Sequence, residues 1–138
     1  MPILEERSTR RPLDEILAYQ NESLLRRFEK DHGATRVQAE RTFNALKQFM
    51  VVCRMKSGIK VSSEPIDEFW HTFLLFTEDY RDFCDDYLGM FVNHRPFEAP
   101  TPSFYYETKD FAQSLFGSLD PEFWPVHGKA DCSSSCSD

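Results

Sequence analysis

The sequence predicts an all-α protein, a compact bundle of four to five helices in a chain of 138 residues. Apolar side chains recur at three- and four-residue intervals over long stretches, which is the spacing of one helix face. Glycine is scarce, with five in the whole chain, and no two segments alternate as paired strands would. Thirteen Phe, five Tyr and two Trp predict a core packed largely from aromatic rings.

The first two predicted helices have recognisable ends. The first covers residues 12–32, because Pro12 suits a first helical turn and Gly33 follows the last apolar position as a stop. The second covers residues 36–56, since Thr35 can accept a hydrogen bond from the free N–H groups of a first turn.

The next two helices lie in the most aromatic part of the chain. A serine, Ser62 or Ser63, caps the third predicted helix, residues 64–76. The fourth covers residues 78–88 and ends at Gly89. The junction between them is either a bend or a break.

Proline then changes the pattern. Residues 90–102 contain three prolines and predict an irregular strap rich in proline and aromatic residues. A short fifth helix follows over residues 108–116, and Asp120 can cap a single turn that ends at Trp124. We expect residues 1–126 to form one helical domain and residues 127–138 a flexible tail that contains cysteines.

The net charge of the chain limits the classes of partner that it could bind. The net charge of −7 argues against nucleic acid, because a nucleic-acid binder needs a basic surface to displace counterions. The acidic residues at 78–86 suit a basic protein partner instead. In the stretch 97–106, Phe104, Tyr105 and Tyr106 would suit exposed aromatic anchors for such a partner. This predicts, as an alternative function, an adaptor or inhibitor that holds no metal.

The expected cellular location follows from the absence of membrane-spanning and secretory patterns in the sequence. No apolar run approaches the roughly 18–20 residues that cross a bilayer, and the N-terminus has no secretory signal. We therefore expect a cytoplasmic protein with no membrane partner, in which thiols stay reduced.

The third helix carries the residues with the clearest chemistry. Asp67 and His71 are four positions apart, which places both on one helix face. They form either a satisfied polar pair or part of a metal site, and zinc requires three or four N, S or O ligands. His94 follows the stop of the fourth helix and is the nearest further imidazole.

Cysteines are the remaining candidate ligands. Cys84 shares a helix face with Tyr80 and is either a ligand or a small buried apolar residue. Cys132 and Cys136 have the spacing of a zinc-ligand pair, but they equally suit an inert tail, a disulfide or a redox pair. His127 lies close enough in sequence to assist them.

Residues 65–96 resemble small bacterial proteins grouped with the glycine-rich domain-containing protein-like family. The matching residues are Asp67, Trp70, His71, Phe73, Thr77, Tyr80, Phe83, Cys84, Gly89, Phe91, His94 and Pro96. Asn93 stands where that pattern has a second histidine, and serines replace a glycine-rich tail. The resemblance implies no particular reaction.

The sequence thus predicts binding of a transition metal, zinc first. The predicted ligands are His71, His94, Asp67, Cys84, Cys132 and Cys136. A hydrolytic or redox enzyme built on the same residues is a third hypothesis, although the chain has no nucleophile elbow, phosphate loop or H-E-x-x-H motif.

Overall fold

The computed structural model describes residues 8–56, 63–94 and 102–125. Its elements, in chain order, are α1 (Leu13–Ala18), α2 (Glu22–His32), α3 (Arg36–Met55), α4 (Glu64–Leu75), α5 (Thr77–Phe83), the π-helical segment Cys84–Leu88 and α6 (Pro102–Phe116). No β-strand occurs in these three stretches, which confirms the all-α class.

The central helix is α3, which contacts α1, α2, α4 and α6. Its middle is buried on nearly every side because neighbours cover it from several directions. Aromatic rings make the contact with α4: Phe43 stacks on Phe69 with centroids 4.9 Å apart, and Phe49 meets Trp70 edge to face at 5.9 Å. The predicted aromatic core is therefore present, and it fixes α4 against α3.

The prediction of one helix over residues 12–32 is wrong. The chain leaves the helical conformation at Tyr19, where ψ is 133°, and α2 begins after Asn21. Asn21 caps α2 by accepting a hydrogen bond from the backbone N–H of Leu24, while its side-chain amide donates to Asp79 on α5. The cap therefore ties the break between α1 and α2 to α5.

A buried lysine secures the end of α1. The ammonium group of Lys47, on α3, donates to the backbone oxygens of Leu17 and Tyr19 at 2.7 Å each, and it lies 4.4 Å from the ring centroid of Phe43. Burial lowers the pKa of Lys47 to about 8. These two carbonyls have no further helical turn to bond to, so Lys47 supplies the donor they lack.

The second half of the bundle differs from the prediction in detail. The open junction is a bend at Phe76, where ψ is 68°, and the predicted fourth helix is α5 followed by the π-helical segment. The predicted fifth helix begins six residues earlier than expected, at Pro102. The single turn after Asp120 is confirmed, because the N–H groups of Phe123 and Trp124 both donate to its carbonyl.

The rest of the predicted strap and tail falls outside the described residues. This applies to positions 95–101 and to 126–138, which include His127, Cys132 and Cys136. Among the described helices, none is both long enough and apolar enough to cross a membrane.

The start of α3 allows a first test. Thr35 and Gln38 form a reciprocal capping box, in which the Thr35 hydroxyl accepts from the Gln38 N–H and the Gln38 side chain accepts from the Thr35 N–H. We expect Thr35→Ala to lower the free energy of unfolding by about 1 kcal/mol. Thr35→Ser keeps the hydroxyl and should cost much less in the same denaturant titration. Equal losses in the two variants would contradict a role for the cap.

Candidate metal centre

Helix α4 places two of the predicted ligands on one face. Asp67 lies in its first turn, where the positive end of the helix dipole favours a carboxylate. His71 follows one turn later, and its Nε2 atom lies 3.6 Å from Oδ2 of Asp67. Phe69 and Trp70, which lie between them in sequence, are buried and contact α3 through the rings of Phe43 and Phe49.

The third residue arrives from the chain after the π-helical segment. Gly89 reverses the direction with a φ of +90°, a conformation that side chains disfavour. The Tyr80 hydroxyl then donates to the carbonyl of Val92 and accepts from the indole N–H of Trp70 at 2.9 Å. These bonds hold the segment that carries His94 against α4.

The three side chains converge. Nε2 of His94 lies 2.9 Å from Oδ1 of Asp67, and the rings of His71 and His94 are 4.8 Å apart with planes inclined by 76°. One ligand atom from each of the three residues lies within 4.8 Å of the others. The two imidazoles therefore meet at one carboxylate, as the metal hypothesis requires.

Burial is uneven across this cluster, which we call the Asp67–His71–His94 triad. The side chain of His94 is 7% exposed and that of Asp67 12%, whereas that of His71 is 59% exposed. Trp70 covers His94 with its ring centroid 4.5 Å away. The triad thus has a closed side formed by Asp67 and His94 and an open side at His71.

The polar atoms on the closed side are poorly satisfied. Nε2 of His94 lies within ion-pair distance of Oδ1 of Asp67. The angle of this contact is not that of a good hydrogen bond, and both atoms are buried without any other hydrogen-bond partner in the described part of the chain. Buried polar atoms are normally paired, because leaving one unpaired costs about 1–3 kcal/mol. A cation between the two residues would satisfy both atoms.

The charge state of His94 also suits a cation. Burial lowers its pKa below the ordinary value, with a smaller lowering from His71, and this outweighs the opposing influence of the Asp67 carboxylate. The imidazole is therefore neutral at neutral pH, which is the form that binds a metal ion.

The distances fit a common ion. In a tetrahedral zinc site the bonds are about 2.0–2.1 Å, so neighbouring ligand atoms lie about 3.3 Å apart. The separations of 2.9 Å to Oδ1 and 3.6 Å to Oδ2 of Asp67 lie on either side of that value. The ligand atoms of all three residues lie within 4.8 Å of one another, so the imidazoles would have to move closer together to share one ion. Two imidazoles and one carboxylate also form the ligand set that binds iron(II) or catalytic zinc with coordination positions left open.

Cys84 does not join the triad. It is fully buried at the start of the π-helical segment, beside the Tyr80 hydroxyl and the backbone of Val92. Burial raises the pKa of its thiol to about 11. The structure therefore places Cys84 in the packing that supports His94, and its protonated thiol would be a poor nucleophile.

Four of the acidic residues named in the alternative hypothesis lie on the surface. Glu78, Asp82, Asp85 and Asp86 are exposed along α5 and the π-helical segment, as expected for an acidic face. One of the three predicted aromatic anchors is not exposed. Tyr105 belongs to α6, is 1% exposed and donates a hydrogen bond to the carbonyl of Pro125. Its role as an exposed anchor is therefore wrong. The apolar spacing of residues 104–112 on one helix face explains the burial.

Two supporting residues were not recognised as parts of the site. Trp70 covers His94 and bonds to Tyr80, and Tyr80 fixes Val92 two residues before His94. The residue types give one indication, because the polar atoms of buried Trp and Tyr side chains usually form hydrogen bonds. The partner of each bond depends on the tertiary fold.

The structure therefore defines a small helical protein with a half-buried cluster of two histidines and one aspartate. The chain belongs to the UCP032817-like family, which matches residues 13–110. The match covers α1 through most of α6 and includes the whole triad, whereas Cys132 and Cys136 lie beyond it. No curated protein and no solved structure matches the chain.

The support for His94 can be tested without touching the triad. We expect Tyr80→Phe to lower the free energy of unfolding by about 2 kcal/mol, because the indole N–H of Trp70 and the carbonyl of Val92 would both lose a buried partner. Tyr87→Phe is the matched control, since Tyr87 is only half-buried and stacks on Phe83. Equal stability changes in the two variants in urea would contradict the role of the Tyr80 bonds.

Proposed function

We propose that this protein binds a divalent transition-metal ion, zinc first, through Asp67, His71 and His94. The observation that carries the proposal is the pair of buried, unsatisfied atoms, Nε2 of His94 and Oδ1 of Asp67, which face each other at 2.9 Å. A purely structural pair would be expected to close into a hydrogen bond. A pair that shares a cation need not do so.

The unequal burial of the ligands supports an order of binding, in which the ion first contacts Asp67 and His94 and His71 binds it last. Asp67 and His94 form the preorganised part of the site, and the exposed His71 can close over the ion from the solvent side. Binding would stabilise the protein by linkage, because the ion would contact the folded state far better than the unfolded state.

The resemblance of residues 65–96 to glycine-rich domain-containing proteins remains part of this proposal. It includes all three members of the triad. It neither adds a ligand nor names a reaction.

Metal content tests the proposal directly. Protein purified without a nickel column should contain close to one equivalent of metal, measured by mass spectrometry. His94→Ala should lose it, because one of three ligands is gone, while His32→Ala should keep it. His32 is a matched control, since it lies 3.9 Å from a surface carboxylate, that of Glu68, and outside the triad.

The opposite result is equally clear. Less than about a tenth of an equivalent of Zn, Fe, Cu or Mn in the wild-type protein, with no uptake of added zinc, would remove the metal function. The triad would then be a polar cluster within the aromatic core.

A further inference from the structure

We propose that the protein, with a metal ion bound at the triad, hydrolyses a neutral carboxylic ester or amide, and that Glu68 is the general base of this reaction. The inference rests on the proposed metal function and adds a substrate class and one catalytic residue to it. Metal binding alone does not require Glu68, so the two proposals can fail separately.

The order of residues around the triad gives Glu68 a distinctive place. Residues 67–71 read Asp-Glu-Phe-Trp-His, so a glutamate directly follows the first of two predicted ligands that are four positions apart. In the H-E-x-x-H motif of zinc-dependent proteases, the glutamate that follows the first ligand is the general base. Asp67 stands here in place of the first histidine, and His94 is the third member of the cluster.

Helix geometry directs Glu68 to the open side of the triad. Helix α4 is a regular α-helix over Glu64–Leu75, in which each residue turns by about 100°. His71 therefore lies about 40° around the axis from Asp67, and Glu68 lies about 60° beyond His71. Trp70, which forms the closed side, lies about 60° from Asp67 in the opposite direction. Glu68 thus borders the exposed edge of the cluster.

The side chain of Glu68 is accessible but is not placed as a ligand. It is 54% exposed, close to the 59% of His71, and its Oε1 atom lies 3.9 Å from Nδ1 of His32 on α2. Its carboxylate is not among the ligand atoms that lie within 4.8 Å of one another. This is the expected position of a base that acts through one water molecule instead of binding the ion.

Three protein ligands leave a position on the ion for water or substrate. Catalytic zinc has three protein ligands and a water molecule, whereas structural zinc is closed by four protein ligands. Within the described stretches, the cluster consists of Asp67, His71 and His94. Because Trp70 covers His94, the free position faces solvent beside His71. A substrate can reach it without a rearrangement of the helices.

Charge at the opening selects the substrate class. Imidazole ligands are neutral, so one carboxylate leaves a divalent ion with one positive charge, which polarises a carbonyl oxygen. The exposed carboxylates of Glu64 and Glu68, one turn apart, disfavour anionic substrates such as phosphate esters. Leu75 is 59% exposed one turn after His71 and offers an apolar contact. A neutral acyl substrate fits these surroundings best.

The reaction needs water as its one further reactant. The ion supplies Lewis acidity, which polarises the carbonyl group and acidifies the water. Glu68 takes a proton from the water while the water oxygen forms a bond to the carbonyl carbon, and the π electrons move onto the carbonyl oxygen. When the C=O bond forms again, the C–O or C–N bond to the leaving group breaks. The leaving group keeps that electron pair and takes the proton from Glu68, which gives a carboxylic acid and an alcohol or amine.

The full-length protein loaded with zinc is tested with 4-nitrophenyl acetate, a neutral ester whose product absorbs visible light. We expect hydrolysis above that of the metal-free protein. Glu68→Gln should keep its zinc by mass spectrometry, while kcat/KM falls at least about 100-fold, because a positioned base contributes about 10²–10⁴-fold. Glu40→Gln removes an exposed carboxylate on α3 and should change neither value. The anionic ester 4-nitrophenyl phosphate should not be hydrolysed.

Binding at the open position has a readout that does not depend on catalysis. Cobalt(II) in place of zinc absorbs visible light, and its spectrum changes when its ligands change. Acetohydroxamate, which chelates through two oxygens, should alter the spectrum of the cobalt-loaded wild-type protein and of cobalt-loaded Glu68→Gln. The variant would then have an intact open site and lack only the base. An unchanged wild-type spectrum would mean that the ion has no free position, and the inference would be wrong.

The other outcomes separate this inference from the metal function. If the wild-type protein binds zinc but hydrolyses the ester no faster than the metal-free protein does, the metal function stands and the hydrolytic inference is wrong. The inference is also wrong if Glu68→Gln keeps kcat/KM within about twofold, or if Asp67→Asn hydrolyses the ester as fast after losing its zinc. If the wild-type protein binds no zinc, the proposed metal function fails, and the inference fails with it.

Discussion

Zinc at one hundred times its dissociation constant should raise the free energy of unfolding of the metal-free protein by about 2.7 kcal/mol. The gain arises because the folded chain presents Asp67 and both imidazoles within 4.8 Å, whereas the unfolded chain separates them. Thermal unfolding of protein treated with chelator, measured with and without zinc, gives the value. Magnesium at the same concentration should have little effect, because it prefers oxygen ligands.

Asp67→Asn provides the sharpest comparison for this effect. The amide has nearly the size of the carboxylate, so the metal-free variant should fold, but a neutral oxygen between two imidazoles holds zinc weakly. We expect the variant to lose most of the zinc-dependent stabilisation, while His32→Ala keeps all of it. A gain of equal size in Asp67→Asn and in the wild-type protein would mean that zinc binds elsewhere.

The part of the site within α4 could be predicted from the sequence, but the part outside α4 could not. The four-residue spacing of Asp67 and His71 fixed their proximity in advance, because the α-helix turns by a constant angle per residue. The position of His94 could not be fixed in the same way. It depends on the reversal at Gly89 and on the bond from Tyr80 to Val92, and both require the packed bundle.

The fold was predictable to a similar depth. The capped start of α3 at Thr35 agreed with the prediction, because both halves of the capping box are local in sequence. The break before α2 was missed, because apolar residues continue at helical spacing across it and only Asn21 signals a new cap. The hydrogen bonds of Lys47 were also not predicted. A lysine in an apolar helix gives no local indication of which distant carbonyls it will contact.

Replacing Lys47 with methionine should change stability in a way that depends on pH. At pH 10 we expect the variant to unfold more easily by about 3–4 kcal/mol, because the carbonyls of Leu17 and Tyr19 lose their buried donor. A neutral amine has two N–H groups, so it can still serve both carbonyls. The hydrogen bonds therefore survive deprotonation of the wild-type lysine.

The difference in the free energy of unfolding between the wild-type protein and Lys47→Met should become smaller as the pH falls. The pKa of Lys47 is about 8 in the folded protein, against an ordinary 10.5. Between these values the unfolded chain binds more protons, so the wild-type protein gains stability as pH rises through this window and bears the full cost of a buried charge below it. That cost is about 3 kcal/mol, which reduces the expected difference at pH 7 to about 1 kcal/mol.

Urea titrations of the wild-type protein and Lys47→Met at several pH values between 7 and 10.5 measure this difference. Groups that titrate elsewhere contribute to both proteins and cancel in the comparison. Lys30→Met, at an exposed position on α2, should show no such trend. If the difference stayed constant or grew as the pH fell, the two carbonyls and the Phe43 ring would be stabilising the ammonium form, and Lys47 would act as a buried cation rather than as a donor that tolerates losing its charge.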